Sequence, residues 1–185
     1  MSLFSCAAAA VAVFPAVTIH TYAGDFPLRA LMVAIAHPES SWEDAATGDP
    51  ATLYPGIPEC GGMTSFGLWQ IHSVHMPAGE DPCAWAASLS APLTNARYAL
   101  ALIDPTNPDA ATNGIADAWA TTYDSGDWVA YIPQAQQAVA AAEAAGGAGG
   151  PGAGSITVPV SSSPWAWVVG VALLLGGGTV ALRRR

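Results

Sequence analysis

Residues 26–42, FPLRALMVAIAHPESSW, constrain the fold more than any other stretch. Leu28, Leu31, Met32 and Ile35 recur at helical spacing, and Pro27 suits a first turn. A helix this apolar has to bury most of its surface, so the rest of the chain must pack around it. The run then meets a carboxylic acid, Glu39. The simplest role for an acid at a helix end is a solvated one, and only the rest of the chain can argue otherwise.

Three further segments have helical character: 91–103, 114–126 and 127–146, the last with a bend near Pro133 and an alanine-rich end. No stretch shows sustained strand alternation. Turn residues fill the gaps, as in TGDP, YPGIP, CGGMTS and DPTNP. The expectation is a mainly α head over residues 24–145 with long irregular loops. The longest connection, 43–90, is of a length that often serves function. It carries TSFGLWQIHSVHM, residues 64–76. Ser65 and Gly67 permit a tight turn, and Gln70 sets an amide among Leu68, Trp69 and Ile71. An amide beside an aromatic suits the hydroxyl and N-acetyl groups of a sugar. It equally suits a short buried segment whose glutamine caps its own backbone.

The flanks differ in composition. Residues 1–23 are apolar and fit three descriptions: a signal-like segment without an n-region charge, a membrane-embedded piece, or a helix packed on the head. Residues 146–164 are a Gly/Ser/Pro linker. Residues 165–182, WAWVVGVALLLGGGTVAL, carry no charge and as a helix span about 27 Å, close to the roughly 30 Å hydrocarbon core. Trp165 and Trp167 stand at one edge, and the basic tail 183–185 at the other. The expectation is a C-terminal transmembrane helix in a lipid bilayer, with the head outside and the C-terminus inside. Ala172 and Gly176 make a small-residue pair suited to membrane-helix packing with itself or other proteins.

Charge excludes one class of partner. The chain has 14 acids, five arginines and no lysine, for a net charge of −9, and three of the arginines form the tail. Such a body repels phosphate backbones, so no nucleic-acid partner is expected. Cys6, Cys60 and Cys83 form no CxxC pair, which argues against structural zinc. Cys60 and Cys83 lie in Gly/Pro-rich loops. In an oxidising compartment a disulfide between them contributes about 3 kcal/mol; otherwise they are two free thiols. His72 and His75 are three apart but lack a matching third ligand, so no metal and no cofactor are expected.

Four segments in order, PESSW, SFGLWQIH, TNARYAL and WATTYDSGDWVAY, resemble the goose-type lysozyme and lytic transglycosylase superfamily, close to the lysozyme-like domains of phage virions. The resemblance covers residues 26–135. It implies a lysozyme-like helical domain that cleaves the β-1,4 bond between N-acetylmuramic acid and N-acetylglucosamine in peptidoglycan glycan strands, with Glu39 as catalytic acid and base. Ser65 and Gln70 would then line the glycan cleft, and Tyr123 would sit over the saccharide. Asn95 would open a helix, as a cap or a ligand. Trp69 and Trp128 would offer stacking faces. A lysozyme would need a second carboxylate, for which Glu43, Asp44, Asp49 and Glu59 are near in sequence. The setting implied is a virion membrane of a lipid-containing phage or a bacterial cell envelope. Three departures stand out. Pro38 precedes Glu39 and should end or bend the helix. Asp124 replaces the usual Asn after the tyrosine. A Cys60-containing, Pro-rich insertion precedes SFGLWQ. They leave room for an alternative, a non-catalytic glycan-binding or structural membrane protein of the same fold.

Overall fold

The computed structural model describes residues 3–50 and 62–146. The apolar run forms helix α2, Leu28–Ser40, and every residue from Ala30 to Ala36 is buried. It packs against α1 (Leu3–Val13), α7 (Ile132–Gly146) and a 3-10 turn at Asp127–Tyr131. The single charge on its buried stretch is accommodated at the rim. The Nε of Arg29 donates to the Phe14 carbonyl at 2.9 Å, and its guanidinium pairs with Glu143 of α7 at 2.6 Å.

Pro38 does not end α2. A proline in a helix removes one backbone donor and crowds the carbonyl four residues back. Side chains donate to other carbonyls of the same helix. The Trp69 indole donates to the Met32 carbonyl at 2.7 Å and the Trp42 indole to the Val33 carbonyl at 2.8 Å. The Ser40 hydroxyl donates to the Ala36 carbonyl at 2.8 Å. The helix stops only where Ser41 and Trp42 turn left-handed, with φ of 54° and 60°. Of the expected end or bend at Pro38, the end is corrected, and Glu39 lies within the last turn.

The N-terminal apolar segment contributes a core helix. Cys6, Ala7, Ala9 and Ala10 of α1 are buried, as is Phe14 beyond it. α1 also packs against α4 (Pro92–Ala101). A hairpin, β1 (Thr18–Thr21) and β2 (Gly24–Pro27), leads directly into α2.

A second sheet of three antiparallel strands fills part of the long connection: β3 (Thr47–Pro50), β4 (Met63–Phe66) and β5 (Ile71–His72), with β4 in the middle. Ser65 faces Gly48 on one side and His72 on the other. These sheets add strands that the sequence pattern did not show. Elements of two to four residues are too short to show alternation. The remaining helices are α3 (Pro82–Ser88), α5 (Ile115–Ala118) and α6 (Ala120–Ser125). The described residues are thus mainly helical with two small sheets.

Among the described residues no helix is long and apolar enough to cross a membrane. This corrects the transmembrane part of the expected fold class, and with it the expected single-pass localisation; the mainly α character of the head is what the described residues show. Residues 165–182, the segment behind that expectation, lie outside the described residues, as do 147–164 and 183–185.

Candidate active site

The end of α2 meets α6. Glu39 is half-buried in the last turn of α2, and the Thr122 hydroxyl donates to its Oε1 at 2.5 Å. Residues 83 apart in the chain thereby share one contact. Several bonds fix α6 in place. The Trp119 indole donates to the Trp69 carbonyl at 2.8 Å. The Tyr123 amide donates to the Trp119 carbonyl at 2.7 Å. The Tyr123 carbonyl accepts from the Tyr22 hydroxyl at 2.9 Å and from the Trp128 indole at 3.3 Å. The Tyr123 ring lies nearly parallel to Trp128, with centroids 5.9 Å apart, and is buried. Burial is the main reason its hydroxyl titrates above the ordinary tyrosine value, with the exposed Asp124 a minor contributor.

Aromatic rings cover another side of the α2 terminus. His37 stacks on Tyr131 with centroids 3.6 Å apart, and Trp42 meets both edge-on. Burial lowers the His37 pKa below its ordinary value, because desolvation penalises the imidazolium.

The SFGLWQIH segment makes a second cluster, organised by Asn95. Its Oδ1 accepts from the Trp69 amide at 2.9 Å and its Nδ2 donates to the Phe66 carbonyl at 3.0 Å. Gly67, at φ 77°, lies so close to the Asn95 amide and the Leu89 carbonyl that a side chain there would collide with both. Gln70 is held left-handed at φ 47°. Its Nε2 donates to the Gly67 carbonyl at 2.8 Å and to the Ala46 carbonyl at 3.3 Å, and its Oε1 abuts Gly48.

The predicted site residues thus divide into two groups. Glu39 and the Tyr123 segment come together. Ser65, Trp69, Gln70 and Asn95 gather around the β4–β5 turn, and Trp69 and Asn95 differ from what the resemblance implies. Asn95 opens no helix: α4 begins at Pro92 after the cap residue Ala91, and Asn95 is fully buried inside it. Trp69 and Trp128 offer no stacking face, because both are fully buried in the core. The Gln70 amide hydrogens point at its own and a neighbouring loop, since a left-handed residue needs local bonds to hold it. Ser65 is buried in the central strand. The two groups are joined through Trp69, which bonds α2 through its indole and Trp119 through its carbonyl.

Of the other acids, Asp44 is buried, and its Oδ1 accepts from the Ser5 hydroxyl at 3.2 Å. The Cys6 thiol is pushed far up, first by burial and then by Asp44. Glu43 is exposed, and the side chains of Asp49 and Glu59 lie outside the described residues. Cys83 is disulfide-bonded; Cys60, its expected partner, also lies outside them. An open pocket of about 280 Å³ runs between Ala46, Thr47, Phe66, Gly67 and Ala86; Glu39 does not line it. Among the described residues no group of three or more His, Cys, Asp or Glu could hold a metal ion.

Thr122, Trp119, Tyr22 and Tyr131 escaped the reading of the sequence. Thr122, Trp119 and Tyr131 lie within the WATTYDSGDWVAY segment without a role assigned from it, and Tyr22 lies outside it. No family model, curated protein or solved structure matches the chain.

Proposed function

We propose that the protein cleaves the glycan strands of peptidoglycan, with Glu39 as the acid and base of a lytic transglycosylase. One observation carries the reading: the acid that follows the buried run is held, half-buried, against the segment containing Tyr123. Such a placement gives a carboxyl group both a low-dielectric flank and access to solvent, which is what proton exchange with a glycosidic oxygen requires. Glu39 protonates the bridging oxygen as its bond to C1 of N-acetylmuramic acid breaks. The resulting carboxylate takes the proton of that sugar's 6-hydroxyl, whose oxygen bonds C1 and closes the 1,6-anhydro ring. No water and no second carboxylate enter this sequence.

A second reading has its own support. The internal bonds of Gln70 and Asn95, and the burial of Trp69, leave fewer groups for substrate than the resemblance implies. A glycan-binding or structural protein without activity fits that economy. Digestion of peptidoglycan by the full chain and by Glu39→Gln, with products read by mass spectrometry, separates the two. Anhydro-muropeptides that depend on Glu39 support the transglycosylase. Reducing ends that depend on Glu39 make it a hydrolase. Binding without products supports the second reading.

A further inference from the structure

We infer that Thr122 is a positioning residue for Glu39; the inference rests on the reaction proposed above. A threonine inside a helix ordinarily turns its hydroxyl back to the carbonyl three or four residues earlier. Thr122 lies inside α6, yet its hydroxyl reaches across to a carboxylate 83 residues away. Its β-branched side chain has few rotamers, and it is buried. The surrounding backbone is fixed as well. Tyr123, the next residue, is bonded through its amide to Trp119 and through its carbonyl to Tyr22 and Trp128. The Thr122 carbonyl accepts from the Ser125 hydroxyl at 3.1 Å. The donor is therefore stationary, and a hydrogen bond to one carboxylate oxygen removes the free rotation of the Glu39 carboxyl plane. The acid then meets the glycosidic oxygen in one orientation, which is where positioned groups gain their advantage.

Glu39 follows Pro38, which has no backbone donor, and Thr122 reaches it from another element, α6.

The experiment compares the full chain with Thr122→Val, Thr122→Ser and Glu39→Gln, using soluble peptidoglycan glycan strands and measuring kcat and KM separately, with thermal unfolding of each variant alongside. Valine keeps the shape and removes the donor; serine keeps the donor. The inference expects Thr122→Val to lower kcat on the order of 10- to 100-fold with KM nearly unchanged, and Thr122→Ser to recover most of the loss. Should valine prove unstable, the serine variant and Thr122→Cys, folded and compared at equal occupancy, read the same dependence on a hydroxyl donor. Cleavage abolished by Glu39→Gln but undiminished in Thr122→Val overturns this inference alone, as does a serine variant as slow as valine. No cleavage by the unsubstituted chain overturns the proposed reaction and this inference with it.

Discussion

The indole of Trp69 donates to the main-chain carbonyl of Met32 at 2.7 Å, and so ties the β4–β5 turn to the middle of the helix that carries Glu39. Both groups are buried. Trp69→Phe removes the donor and part of the ring while keeping an aromatic. The account expects a loss of about 1–3 kcal/mol from the bond and the space left behind. Urea unfolding followed by fluorescence measures it, and an unchanged midpoint would show that α2 does not depend on this tie.

Asn95 satisfies two main-chain groups of the opposite loop, the Trp69 amide and the Phe66 carbonyl. Asn95→Ala leaves both buried without that partner, at about 1–3 kcal/mol each. A combined loss of about 2–6 kcal/mol is expected in denaturant titration. If Asn95 instead served substrate alone, stability would be untouched and only cleavage would fall.

His37 predicts a pH dependence of stability. Burial lowers its folded pKa below the ordinary 6.5, so the unfolded chain binds more protons near that value. The contribution is full above pH 6.5 and is lost as the pH falls from there through the folded value. His75, lowered by burial and by His72, acts in the same direction. His37→Phe keeps a ring against Tyr131 and removes the titration. The variant's unfolding midpoint should fall less steeply than the parent's between pH 7 and pH 5; parallel curves would contradict the assignment.

Part of this architecture was legible in the residues themselves. The spacing of Leu28, Leu31, Met32 and Ile35 marked α2, because a long apolar period survives any tertiary context. α1 was ambiguous for the opposite reason: alanines and small apolar residues all round offer no face to read. The sheets left no pattern, since β5 is only two residues long. The resemblance cast Asn95 as a helix opener, a place asparagine favours, but a tertiary clamp on the loop took its side chain instead. Pro38 looked like a terminator or a bend because proline removes a ladder donor, yet α2 runs on to Ser40. The resemblance brought the Tyr123 segment toward Glu39, but no local pattern marked Thr122 as the donor, because the contact joins residues 83 apart.

The most direct test of the central claim is the release of soluble products from peptidoglycan by the folded full chain and by Glu39→Gln at equal concentration. The account predicts anhydro-muropeptides from the parent and at least about a 100-fold lower rate from the variant, the contribution of a positioned acid. No product from the folded parent, or equal rates from both proteins, would contradict it.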